Sequence, residues 1–156
     1  MAAHISAGLL MYRKVPGFEF FLVHPGGPYF KNKTLGVWSI PKGLPENDED
    51  LLITAQREFK EETGITPSPP FDPLGSIQQK AGKIVHAWSF SGSWDPTTGI
   101  TCNTFSIEWP PRSGRFQEFP EQDQAAWMPY EKARQYIIPT QIPLLDRAIT
   151  LYSQNQ

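Results

Sequence analysis

Gly43-Leu44-Pro45-Glu46-Asn47-Asp48-Glu49-Asp50-Leu51-Leu52-Ile53-Thr54-Ala55-Gln56-Arg57-Glu58-Phe59-Lys60-Glu61-Glu62-Thr63-Gly64-Ile65 is the stretch that decides how this chain folds. It predicts a helix bounded on both sides. Asn47 and Asp48 are good N-cap residues, because their short side chains accept from free backbone N–H groups. Asp48, Glu49 and Asp50 set negative charge at the positive end of the helix dipole. Leu51, Leu52, Ala55 and Phe59 fall within roughly a 100° arc at 3.6 residues per turn, an ordinary buried face. Gly64 is a natural C-terminal stop, and Pro67, Pro69 and Pro70 forbid continuation.

The same helix carries Glu58, Glu61 and Glu62 at i, i+3 and i+4, which puts three carboxylates on one face beside the apolar stripe. Like charges at i, i+4 destabilise a helix by about 0.2–0.5 kcal/mol per pair. Glu61 and Glu62 also stand at the negative end of the dipole, which disfavours each by about 0.3–1 kcal/mol. Only Lys60 is at hand within the turn to compensate. A divalent cation reverses the sign of both penalties, and magnesium and manganese prefer carboxylate and water oxygens. Ions held there polarise a phosphoryl oxygen, supply a nucleophilic water and neutralise a leaving phosphate. The cluster alone is equally compatible with a solvated acidic face. Ahead of the helix, Trp38-Ser39-Ile40-Pro41-Lys42-Gly43 is rigid at the proline and free at the glycine. Gly43 has no side chain to keep its carbonyl from a metal. Lys42 can meet a phosphate or serve as a plain surface lysine.

Outward from this unit the pattern is mixed. Ile5 to Tyr12 and Phe18 to Val23 read as strands joined by a turn at Arg13–Gly17, a hairpin. Residues 29 to 36 read as a loop, and Val37 to Ile40 as a short strand or extended piece stopped by Pro41. Leu74 to Gln79 and Lys83 to Ser91 are two further strands. Residues 92 to 120 are rich in Gly, Pro, Ser and Thr and predict a long loop around one short strand near Thr104 to Trp109. Ala125 to Met128 predicts a strand, and Tyr130 to Ile137 and Ile142 to Tyr152 predict helices. This order implies an α/β or α+β layer fold in a single domain over residues 1–156.

At this point the residues match a known family. Gly43, five residues, Glu49, seven residues and Arg57-Glu58-Phe59-Lys60-Glu61-Glu62-Thr63-Gly64-Ile65 resemble the complete Nudix box, with every fixed position filled. Phe59 stands where an aliphatic residue is usual. The resemblance implies an α/β/α sandwich around a mixed sheet. It implies that Glu58 and Glu62 are direct metal ligands, that Glu61 is a ligand directly or through water, and that the Gly43 carbonyl is another. The ion would be Mg2+ or Mn2+. Arg57 resembles the residue that orients the carboxylates by pairing with Glu58 or Glu49, and Glu49 would be structural or a distant metal contact. The family often uses one more acid outside the box. Glu121, six residues before Trp127, is similar in spacing to that acid in mutator-type nucleotide triphosphatases, with Glu118 and Asp123 as competitors. The general base is then Glu121 or a box carboxylate such as Glu61.

Residues 108 to 119 and 24 to 30 resemble a bacterial Nudix subgroup of predicted pyrophosphohydrolases. Arg112 and Arg115 can hold phosphate oxygens. Trp109, Phe30 or Tyr29 can stack on a base, or belong to the core. Pro41-Lys42-Gly43 is similar to dinucleoside polyphosphate and diphosphoinositol-polyphosphate hydrolases. The implied activity is hydrolysis of a phosphoanhydride in a nucleoside diphosphate linked to another group, such as a nucleoside di- or triphosphate or a dinucleoside polyphosphate. The alternative is a Nudix-fold nucleotide-binding module without catalysis. A net charge of -2 gives no general attraction to a nucleic-acid polymer or an anionic membrane, so a small phosphorylated ligand is the expected partner. The one cysteine, Cys102, cannot form an internal disulfide. That, and a start at Met1-Ala2-Ala3-His4-Ile5 without a secretory pattern, predicts a reducing, cytoplasmic setting.

Overall fold

The strand pair β1 (Ile5–Lys14) and β2 (Phe18–Pro25) shows how the sequence builds both sides of the molecule at once. Side chains alternate across a strand. Ala7, Leu9 and Met11 of β1 and Phe21 and Val23 of β2 enter one buried cluster, while Leu10, Phe20 and Leu22 enter another. A sheet buried on both faces needs cover on both. This is a computed structural model, and it describes residues 4–154. Met1, Ala2 and Ala3, on which part of the N-terminal reading rests, lie outside the described residues.

The remaining elements are β3 (Lys42–Gly43), α1 (Leu51–Thr63), β4 (Asp72–Gln78), β5 (Ile84–Ser91), β6 (Thr104–Glu108), β7 (Phe116–Pro120), β8 (Gln122–Pro129), α2 (Tyr130–Tyr136) and α3 (Ile142–Ser153). Six strands form one sheet in the order β4-β5-β1-β2-β8, with β3 paired to β1. β1 and β5 run parallel and the other pairs antiparallel, so the sheet is mixed. Helix α1 packs on one face through Ala55 and Phe59, and α2 and α3 cover the other through Ala133, Leu144, Leu145 and Ala148. This is the expected α/β/α sandwich. Phe59 suits its place because two aromatic rings meet it, Phe90 at 5.2 Å and Phe21 at 5.8 Å between centroids.

Several boundaries differ from the sequence reading. Helix α1 is capped by Asp50, not by Asn47 or Asp48, and no side chain caps its first turn. Asn47 instead adopts a left-handed conformation, φ 49°, and Glu49 is drawn to other partners described below. The C-terminal stop is as expected. Gly64 sits at φ 80° and its N–H donates to the Lys60 carbonyl at 2.8 Å. In the Val37–Ile40 stretch, Val37 lies in a turn and only isolated bridges form, Ser39 to Val23 and Trp38 to Ile137. The stretch expected to be a long loop around one strand contains a hairpin, β6 against β7, forming a separate two-stranded sheet. Finally, β8 begins earlier than expected, because the polar Gln122 and Gln124 pair with Pro25 and His24 of β2. No helix among the described residues is long and apolar enough to cross a membrane.

Candidate active site

Arg57 is the organising group. Its Nε and Nη2 donate to the two oxygens of Glu49, each at 2.9 Å, a bidentate fork of the kind guanidinium geometry favours. Its Nη1 donates to Glu58 Oε1 at 2.9 Å and to Glu61 at 3.2 Å, and Nη2 reaches the Leu44 carbonyl at 3.0 Å. Glu46 lies 3.5 Å from the same guanidinium. Arg57, rather than Lys60, is therefore the cation that makes the acidic turn tolerable. The Arg57 hydrogen bonds, with one from the Thr54 hydroxyl, hold the Glu49 carboxyl down at about 2. In return Glu49 pushes the Arg57 pKa upward. Arg57 thereby ties the 44–49 loop to the helix.

Glu62 is in a different situation. It is buried, 7% exposed, and meets Gln122 Nε2 at 2.9 Å. Burial first, and then the nearby Glu58 and Glu121 charges, raise its pKa to about 8, while Lys42 opposes the rise. Glu58 is also raised, mainly by burial, against the pull of Arg57. Lys42 is lowered by burial and partly restored by Glu62. Gly43 packs so closely on Glu58 that a Cβ there would collide with the Glu58 carboxylate. Only glycine lets strand β3 lie this near the acidic helix.

These oxygens suit a hard divalent cation. A buried carboxylate held against two like charges gains most from a nearby positive ion, and Glu58, Glu62 and the adjacent Gly43 backbone supply hard oxygen donors. Among the described residues no three acidic, imidazole or thiol groups close into a finished cage. Magnesium keeps several waters and is often bound through only one or two carboxylates. Glu61 is the most solvent-exposed of the three box carboxylates, with 41% of its side chain accessible, and it rests on Arg57.

The outlying acids separate clearly. Glu121, between β7 and β8, stands within electrostatic reach of both Glu58 and Glu62. Asp123 is taken by His24, whose Nδ1 lies 2.7 Å away and whose Nε2 meets the Lys33 carbonyl at 2.6 Å. Glu118 is exposed on β7, opposite Ser106. Arg112 and Arg115 lie in the turn of the β6–β7 hairpin and form no ion pair among the described residues. Five residue steps along β7, about 17 Å at 3.4 Å each, separate Arg115 from Pro120. The structure thus brings Lys42, Gly43, Arg57, Glu58, Glu61, Glu62 and Glu121 together but leaves the two hairpin arginines apart. Tyr29 meets Trp109 edge-on at 5.3 Å, while Phe30 lies at the surface beneath Lys33. Sequence reasoning missed Gln122, since a contact with Glu62 across 60 residues depends on sheet register and leaves no local signal.

Comparisons with known proteins bear on the family and the fold. A family profile described as NUDIX domain matches residues 3–148. Over 50 residues the chain is 46% identical to Nucleoside diphosphate-linked moiety X motif 6 of Xenopus laevis, covering 32% of this chain and 22% of that protein. The chain therefore aligns with only about a fifth of that relative's length. A Caenorhabditis elegans Ap4A hydrolase in a binary complex superposes with TM-score 0.68 at 23% identity, over 96% of this chain and 98% of the other. The NUDIX domain of Shewanella oneidensis NrtR, complexed with ADP ribose, superposes with TM-score 0.67 at 16% identity, over 97% and 90%. At these identities the structural likeness speaks for the fold. With the profile match spanning nearly the whole chain, and the acidic helix, its arginine clamp and the mixed-sheet sandwich in place, the chain belongs to the NUDIX family.

Proposed function

We propose that this chain, acting as a single domain, is a metal-dependent hydrolase of phosphoanhydride bonds in nucleoside diphosphates linked to another group. The observation that carries the reading is the buried Glu62 carboxylate, facing Glu58 and Glu121 with Lys42 beside it. Burying like charges together is costly unless a cation joins them. Glu58, Glu62, Glu61 and the Gly43 carbonyl would hold Mg2+ or Mn2+. When bound, the ion lowers the pKa of a water and offsets charge on the phosphates.

The chain's own groups do the rest. Arg57 fixes Glu58 and Glu61 in place. Gln122 donates to Glu62 and so orients it. Lys42 offers positive charge to a phosphate oxygen. Water attacks one phosphorus, a new P–O bond forms and the bridging P–O bond breaks. Each product keeps one side of the anhydride. The water proton passes to a carboxylate, Glu121 being the candidate outside the metal cluster and Glu61 the one within it. Arg112 and Arg115 would act on a distal phosphate only if the hairpin turned inward over the ligand. Among substrates, a dinucleoside polyphosphate fits Lys42, and the structural neighbour described as an Ap4A hydrolase supports that choice alongside simpler nucleotides.

The test is a panel of nucleoside di- and triphosphates, ADP-ribose and dinucleoside polyphosphates with magnesium or manganese, with products identified. Metal-dependent cleavage of at least one is expected. In Glu62→Gln the turnover should fall more than about 100-fold, beyond the range of losses from outer-shell changes, while circular dichroism stays unchanged. Full activity in that variant sinks the assignment. Nucleotide binding without cleavage across the whole panel would instead mark a binding module.

A further inference from the structure

His24 lies one residue before the end of β2 and is buried, 3% exposed, although an imidazole is polar at both nitrogens. Its Nδ1 lies 2.7 Å from Asp123 Oδ1 on β8, and its Nε2 lies 2.6 Å from the Lys33 carbonyl in the loop that follows β2. An ionised carboxylate and a carbonyl are both acceptors. A neutral imidazole carries one N–H and can serve only one of them. Both bonds form when the His24–Asp123 pair holds one proton more, on the ring or on the carboxyl. The Trp38 ring stands edge-on to His24 at 5.2 Å, and the Lys33 ammonium lies over Phe30 instead. Among the described residues, Asp123 is the charged side chain bonded to His24.

We infer that His24 is a positioning residue, a latch that sets Glu121 and Gln122 against the acidic helix and that one proton opens or closes. Three observations carry it. Strand register is the first. Pro25 pairs with Gln122 but His24 pairs with Gln124, so Asp123 is an extra residue on β8, a bulge. Bulges re-aim the side chains beside them, and here the extra residue is the one His24 holds. The second lies two residues after His24. Gly26 donates its N–H to the Glu121 carbonyl at 2.9 Å, and it approaches the Pro120 carbonyl so closely that a Cβ there would overlap it. The third is what stands next to the bulge. Gln122 reaches Glu62 at 2.9 Å, and Glu121 is within electrostatic reach of Glu58 and Glu62. With its extra proton the pair ties β2, the loop at Lys33 and the bulge together through one ring. Without it, one of the two bonds opens. The catalytic consequence rests on the hydrolase reading, and the latch itself does not.

Three variants test it. His24→Phe keeps a ring and loses both bonds. Asp123→Ala loses one bond at a side chain that is 32% exposed, so it folds even where His24→Phe does not. Asp123→Asn is the informative one. Its amide donates to Nδ1 while Nε2–H donates to the Lys33 carbonyl, so both bonds form on a neutral ring without the extra proton. The first readout is hydrogen exchange of the Gly26 amide in the metal-free protein at about pH 6, where an ordinary imidazole is largely charged. Exchange should quicken about tenfold in His24→Phe and Asp123→Ala, a local opening, and match the parent in Asp123→Asn. The second is steady-state kinetics with magnesium on a nucleotide that the parent cleaves. A misplacement of about 1 Å costs up to about 100-fold in rate, so kcat should fall about tenfold in His24→Phe and Asp123→Ala, with KM within about twofold. The third is the ratio of kcat in Asp123→Asn to kcat in the parent, in which ionisations common to both proteins cancel. The parent latch opens as pH rises, so the ratio should climb about threefold across the range of roughly pH 5 to 8 in which an imidazole changes charge. Equal Gly26 exchange in all four proteins, unchanged kcat in His24→Phe and Asp123→Ala, or a ratio flat with pH overturns the inference. Should the parent cleave no nucleotide while exchange follows the stated order, the latch stands and the hydrolase reading falls.

Discussion

Between Gly43 and Gly64 one arginine gathers four carboxylates, whereas in the β6–β7 hairpin Arg112, Arg115 and Glu118 have no ionic partner among the described residues. The first region is cross-linked by charge-assisted hydrogen bonds between a loop and a helix, and its geometry is set before any ligand arrives. The second is two short strands with Phe116 70% exposed, joined to the rest near Pro120 and Gln122. The contrast teaches where each kind of work belongs. Chemistry that tolerates little displacement suits a clamped helix, whereas exposed hairpin side chains suit contact with a variable ligand.

The sharpest way to break this comparison is at Gly43. In Gly43→Ala the new methyl meets the Glu58 carboxylate, which must move or push β3 away. A loss of about 1–3 kcal/mol in stability is expected from such overpacking, with turnover falling more than tenfold. Denaturant unfolding and steady-state kinetics read both. A fully active, equally stable variant would mean the close approach is incidental. Next is Arg57→Lys, which keeps the charge but loses the fork. Its side chain is 21% exposed, so we expect about 1–2 kcal/mol, less than for a fully buried pair. Turnover should fall about tenfold as Glu58 and Glu61 lose their orientation.

Acid probes the same clamp more gently. The folded Glu49 carboxyl titrates near 2, below its ordinary value of 4.5. A depressed folded pKa gives stability that is full above the ordinary value and fades as pH falls toward 2. Unfolding midpoints between pH 5 and pH 2 should therefore decline, and Glu49→Gln should flatten that decline. The smallest effects are expected in the hairpin. Arg112→Ala and Arg115→Ala should each raise KM up to about fivefold, as for exposed charge pairs. A drop in kcat as large as that of Arg57→Lys would erase the distinction between the two regions.

Much of the clamped region was legible from spacing alone. A period of 3.6 fixed α1, and the i, i+3, i+4 carboxylates fixed its acidic face. The pairing of Arg57 with Glu61 is itself an i, i+4 contact, so the compensating cation was in the sequence although Lys60 drew the attention. The N-cap was misread because capping preference is local, and Glu49 serves Arg57 and Thr54 rather than the helix end. In the hairpin, β7 alternates aromatic and polar residues but buries little, so no hydrophobic face announced it. Glu121 was singled out by its distance from Trp127, and its separation from Asp123 and Glu118 required knowing that His24 holds Asp123. Gln122 became visible only once strands distant in sequence were set side by side.

The Arg57 clamp has one more consequence. Where acidic groups are held together by the ion itself, chelation dissolves the fold along with the site. Here a resident guanidinium already anchors the loop and most of the acidic turn, so the scaffold carries its own counter-charge. On the metal-dependent reading proposed above, the protein would be emptied of its cation and refilled without refolding, and its activity would follow the supply of free metal as a reversible dial.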